Sequence, residues 1–131
     1  MKKEQSANIE QGEVIYLGKF DLEERTLRFA KNCLDVCKAV DKNRINLPLV
    51  DQLIRASTSV GANYREANQS LTEKDFYYRL NVCRKESKES KYWLELLAHT
   101  NGSWTPEIQT LIQESFELVK IFSSIVLRHR L

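Results

Sequence analysis

From Phe76 to Leu97 the chain repeats one pattern without a fault: Phe76, Leu80, Cys83, Ser87, Ser90, Leu94 and Leu97 follow one another at alternating steps of four and three. At about 3.6 residues per turn this spacing draws a single stripe along a helix of about 22 residues, and a stripe of that length needs other helices to cover it. A strand would show its buried face at every second residue, so the pattern excludes a sheet here. Thr72 can cap the helix, and Asp75 can answer from the third position in a near capping box.

The rest of the chain repeats the theme. From Asp21, a good N-cap, the positions Leu22, Thr26, Phe29, Ala30, Cys33, Cys37 and Val40 form one face of a first helix that Asp41-Lys42-Asn43 ends. A second helix starts near Pro48, where a first-turn proline forfeits no hydrogen bond, and its seam reads Val50, Leu53, Ser57, Val60, Tyr64, Ala67 and Leu71. Asn101-Gly102-Ser103 interrupts the pattern after the third helix. Thr105-Pro106-Glu107 then opens a fourth, with Ile108, Leu111, Ile112, Ser115, Phe116, Val119, Phe122, Ser123 and Val126 on its apolar side. Residues 1–20 lack a helical period and carry one short β-like run, Val14 to Leu17; they read as an arm that is flexible at first and docks near Phe20. Four helices with short connections predict an all-α fold, an antiparallel up-and-down four-helix bundle over residues 21–131.

Length and composition narrow the class further. A chain of 131 residues suits one domain, and with four glycines and two prolines it has little material for turns. No apolar run approaches the roughly 20 residues that span a bilayer, and Lys2 and Lys3 are not followed by a signal-type segment. A cytoplasmic protein without membrane contact is expected. Cys33, Cys37 and Cys83 are odd in number and read as core thiols rather than a disulfide framework. Cys33 and Cys37 share a helical face, but neither His99 nor His129 stands at a metal-ligand spacing, so no metal is expected.

Catalytic equipment is missing as well. Di-iron bundles need Glu-x-x-His pairs, whereas Leu96 and Val126 precede the two histidines by three. Helical ribonucleases of the HEPN type place an arginine four to six residues before a histidine, and this chain does not. Glu86 and Glu89 read as members of ion pairs with Arg79, Arg84, Lys85 and Lys88 on the helix flanks rather than as an acid–base couple. The expectation is a non-enzyme with no cofactor and no small-molecule substrate.

Two surfaces remain for function. In Ser59-Val60-Gly61-Ala62-Asn63-Tyr64-Arg65-Glu66-Ala67-Asn68, Gly61 alone costs about 1 kcal/mol of helix propensity, so tight packing must offset it; Ser57 facing Ser87 and Ser90 suggests a close approach of the second and third helices. Arg55, Ser59, Ala62 and Glu66 lie opposite that seam. They form either a solvated helix back or a subunit contact, with Ser59 and Ala62 admitting a neighbour and the two charges pairing at its rim. The third helix also carries Tyr78, Tyr92 and Leu96 outside its seam, and apolar groups on both sides predict a homo-oligomer. The second surface is electrostatic. Net charge is only +2, so any nucleic-acid binding must be local. Lys74, Tyr78, Asn81, Lys85, Lys88 and Tyr92 gather on one outer side, suited to phosphate contact and base stacking, and Arg128-His129-Arg130 adds a basic tail.

The block Leu53 to Ala67, LIRASTSVGANYREA, followed by Asp75-Phe76, Lys85-Glu86, Glu89, Tyr92-Trp93-Leu94 and Leu97, resembles the bacterial four helix bundle proteins, also called 23S rRNA intervening sequence proteins. The resemblance implies an antiparallel four-helix protomer assembling as a homopentamer. More distantly the chain is similar to the accessory variability proteins of diversity-generating retroelements, whose strongly basic pentamers engage nucleic acid and a reverse transcriptase; a net charge of +2 departs from that pattern. On the family motif, Arg55, Ser59, Gly61, Ala62, Asn63, Glu66, Glu86, Glu89 and Trp93 are assigned to packing and assembly. The function implied is association with RNA or a ribonucleoprotein, with Lys74, Tyr78, Lys85, Lys88, Tyr92, Arg128 and Arg130 as candidate contacts. The alternative is a protein–protein scaffold with no nucleic-acid role.

Overall fold

The structure is a computed structural model that describes residues 19–102 and 105–130, and every regular element in it is helical. The helices are α1 (Lys19–Ala39), α2 (Asn46–Asn68), α3 (Glu73–Thr100) and α4 (Thr105–Arg130). The Val14–Leu17 run of the arm lies outside the described residues. Because α1 already starts at Lys19, Asp21 falls within its first turn rather than at its cap, a place the positive end of the helix dipole equally favours.

Local chemistry sets the other ends. Beyond α1 the Lys42 ammonium donates to the carbonyls of Cys37, Lys38 and Val40 at 3.1, 3.0 and 2.8 Å, satisfying acceptors that the finished helix leaves over. Asn43 Oδ1 then accepts from the amides of Ile45 and Asn46 at 3.0 and 2.8 Å as α2 begins. Pro48 still sits in the first turn, where its missing N–H costs nothing. At the far end the Gln69 and Ser70 amides close on Glu66 and Ala67, and the chain turns away. Leu71, expected on the α2 seam, is consequently 98% exposed. Thr72 adopts an extended conformation and its hydroxyl accepts the Asp75 amide at 3.1 Å, starting α3.

Cross-helix contacts show the direction of each helix. Glu23 near the start of α1 meets Asn68 at the end of α2, Asn63 late in α2 meets Arg79 early in α3, and Asn46 opening α2 meets Asn101 closing α3. Arg25 of α1 reaches Glu114 of α4, which closes the ring of neighbours α1–α2–α3–α4–α1. This is an antiparallel up-and-down bundle. Its core runs through Phe29, Cys33, Val40, Leu53, Val60, Leu80, Leu94, Leu97, Ile108, Leu118 and Phe122.

Two seams need correcting. In α1 Val36 is buried while Ala30 is only half-buried. In α4 the buried row is Ile108, Leu111, Ser115, Leu118, Phe122 and Val126, whereas Phe116 is 43% exposed and Val119 and Ser123 are half-buried. Two adjacent apolar rows run along α4, and burying Leu118 centres the other one. The close approach at Gly61 also differs from the expectation. A Cβ there would stand 3.0 Å from Thr26 Oγ1 and 3.3 Å from Thr26 Cβ, so the glycine admits α1 rather than α3. Ser57, Ser87 and Ser90 are fully buried, and the Cys83 thiol approaches the Val60 carbonyl of α2 at 3.5 Å.

One polar cluster is built into an end of this core. Asn46 is 1% exposed; its amide donates to the Asp41 carbonyl and to Asn101 Oδ1, while its oxygen accepts from Thr100 and from the Asn101 amide. All of its bonding capacity is used, as burial of an amide demands.

Candidate nucleic-acid interface

The outer surface of α3 follows from the inner one. At about 100° per residue, Lys74, Tyr78, Asn81, Lys85, Lys88 and Tyr92 lie nearly opposite the buried stripe. All of them are exposed except Asn81, which is half-buried. The row extends about 27 Å at helical rise. Two of its members are large aromatics facing water: Tyr78 is 63% and Tyr92 55% exposed. Each is braced by its neighbour. The Arg79 guanidinium stands 6.0 Å from the Tyr78 ring centroid and is itself held by Asn63 Oδ1 at 2.8 Å, while the Asn63 amide donates to the Ser59 carbonyl. Tyr92 meets the Trp93 ring edge-on at 5.0 Å, and Trp93 packs against the core.

Glu89 borders this row, next to Lys88 and one turn from Lys85, and the structure shows where it and Glu86 go. Glu86 and Glu89 turn toward α2, where Arg55 Nη1 bonds Glu86 Oε1 at 3.1 Å and Nη2 bonds Glu89 Oε1. Only 8% of the Glu86 side chain is exposed, so this is a buried carboxylate satisfied by a partly exposed arginine. Desolvation works against the Arg55 charge, but hydrogen bonds and charge from Glu86 and Glu89 outweigh it and raise the pKa. Lys85 makes a looser approach to Glu89, 3.9 Å. The principal partner of both acids is therefore Arg55 across the helix interface, not the cations of α3 itself. Among the described residues Lys74 and Lys88 form no ion pair.

The assembly motif divides along the same line. Arg55, Asn63, Glu86 and Glu89 are joined within the chain, and Gly61 packs on α1. Arg55 reaches α3 although the period of α2 puts it nearly opposite the buried seam. Ala62 and Glu66 are exposed and Ser59 half-buried, so that part of the α2 back faces outward. Arg128 is exposed near the end of α4, at the end of the bundle where α3 begins. Arg130 closes α4, its side chain outside the described residues. Periodicity could place the lysines and tyrosines, but nothing in it marked Arg79 as the brace of Tyr78.

Between α1 and α4 runs a groove of about 510 Å³ bordered by Arg28, Phe29, Asn32 and Leu111, with the Arg25–Glu114 bridge across it. Its hydroxyl, Thr110, donates to the Pro106 carbonyl, and its carboxylate Glu114 is held by Arg25. Among the described residues no three His, Cys, Asp or Glu side chains gather as a metal site, and no helix is long and apolar enough to cross a membrane. Burial raises the pKa of all three thiols, Cys37 to about 11 and Cys83 to about 12. They are inert core groups.

Comparison with known proteins adds lineage to this geometry. The crystal structure at 1.70 Å of a protein of unknown function from the S23 ribosomal protein family of Bacteroides thetaiotaomicron VPI-5482 superposes with a TM-score of 0.73. It is 32% identical, and the alignment covers 80% of this chain and 97% of that one. No curated protein matches the chain. The 23S rRNA-intervening sequence proteins match residues 19–124, which takes in α1, α2, α3 and most of α4. Neither description names an enzymatic activity, and the chain belongs to the 23S rRNA-intervening sequence protein family.

Proposed function

We propose that this protein is a non-enzymatic bundle that associates with RNA or a ribonucleoprotein through the outer face of α3. The exposed lysines and tyrosines of the row from Lys74 to Tyr92 carry the reading. A net charge of +2 gives no general attraction to a polyanion, but Arg55 engages Glu86 and Glu89 at the edge of this face, which keeps three exposed lysines, Lys74 and Lys88 without an ion pair and Lys85 only 3.9 Å from Glu89. The family's name, with its reference to ribosomal RNA, points the same way. Copies of the chain assemble, in the pentamer that the family resemblance implies, with the small outward face at Ser59 and Ala62 as the contact; a ring turns one weak row into a multivalent surface.

The test is a gel shift of structured RNA at low salt. Wild type shifts it and releases it as salt rises; replacing Lys74, Lys85 and Lys88 together by alanine abolishes the shift and leaves the helical content unchanged. Absence of wild-type binding at low salt would leave the protein–protein scaffold as the better reading, which the exposed Ile45, Leu47 and Ile54 favour. Sedimentation at micromolar concentration tests assembly, and a monomer there refutes it.

A further inference from the structure

The geometry points to an unpaired RNA strand, rather than a duplex, as what the α3 row recognises, with Tyr78 and Tyr92 as base-stacking platforms and Lys85 and Lys88 between them holding phosphates. This inference rests on the RNA reading above and specifies its ligand. Lysines alone would not distinguish strand types, since any phosphate backbone satisfies them. The tyrosines do distinguish them. A ring more than half exposed on the convex outside of a bundle contributes nothing to the core, and in a duplex the base faces that could stack on it are already stacked on one another. In a single strand those faces are available, and aromatic platforms interleaved with cations are the common means of holding them.

Spacing and bracing support this assignment. Tyr78 and Tyr92 are separated by about 21 Å along the helix, with the two lysines in the interval, so one strand laid along α3 meets stacking, phosphate and stacking groups in turn. The rings are also restrained before any ligand arrives. Arg79, fixed by Asn63, lies against Tyr78, and Trp93, anchored on the core, supports Tyr92 edge-on. Restrained side chains lose less freedom on binding. Neither brace covers its tyrosine, as the exposures of 63% and 55% show.

The experiment compares a fluorescently labelled oligouridylate with a fully paired RNA hairpin of the same length, by anisotropy across a salt series. Wild type prefers the single strand. Tyr78→Ala and Tyr92→Ala each weaken single-strand binding about tenfold, leave the slope of affinity against salt unchanged because no phosphate contact is lost, and leave hairpin binding alone. Tyr78→Phe and Tyr92→Phe retain binding, since stacking needs the ring and not the hydroxyl. Equal affinity for strand and hairpin, or alanine variants as tight as wild type, would overturn the stacking assignment while leaving RNA association in place. Failure of wild type to bind either RNA would remove both.

Discussion

Two arginines tie helices together across this bundle, and they do so on different terms. Arg25 of α1 meets a single carboxylate, Glu114 of α4, through two bonds of 2.6 and 2.9 Å, with 31% and 27% of the two side chains exposed. Arg55 of α2 meets two carboxylates of α3, one of them nearly withdrawn from water. The first is a half-buried clamp beside an open groove, where an ion that loses its partner can regain water. The second holds a charge in a place it could not occupy alone. A bridge therefore matters less for its own strength than for what its removal strands.

The largest effect should come from the buried seam of α3. Leu80 is fully buried, and Leu80→Ala should cost about 2 to 5 kcal/mol in urea unfolding. A loss below about half a kcal/mol would mean the α3 seam is misplaced. Next, Arg55→Ala should cost about 2 to 3 kcal/mol by stranding Glu86, and Glu86→Gln in the same background should restore most of it. Arg25→Ala, the matched cut on the open flank, should cost about 1 kcal/mol or less. Equal costs for the two arginines would abolish the distinction between them. A separate effect is confined to alkaline solution. Burial lifts Cys37 to about 11 and Cys83 to about 12 from an ordinary 9.0, so the native state keeps these protons after the unfolded chain has lost them. Their contribution is full below pH 9.0 and declines as pH rises toward about 11 and then 12. Alkylation of native protein followed by mass spectrometry should label Cys37 before Cys83.

Much of the fold was legible because helical period speaks directly to burial. The α3 stripe is the clearest case: from Leu80 to Leu97 every expected position is buried. Period fails where two rows compete or where the helix stops. Phe116 and Val119 are as apolar as Leu118, and only the placement of the neighbouring helices decides between the rows. Leu71 continues the α2 rhythm but lies beyond the turn that Gln69 and Ser70 make. Asn46 could have been found, since it stands four before Val50 on the α2 seam; its polarity disguised it. The candidate surface divides in the same way. The outward lysines and tyrosines can be read from the stripe they oppose. The partnership of Arg55 with Glu86 and Glu89 depends on how α2 is set against α3, which no single-helix pattern contains.

That setting is enforced at Asn46. Sliding α2 along α3 by one turn, about 5.4 Å, would break its paired bonds to Asn101 and its bond from Thr100 together. The amide pair works as a detent, giving two otherwise smooth helical cylinders one notch in which to rest. Because Arg55, Asn63, Arg79 and Glu86 span the same pair of helices, that notch also aligns the bracing of Tyr78 and the hold of Arg55 on Glu86 beside the lysine row. An end-of-bundle asparagine thus indexes, at a distance, the lettering on the outer face.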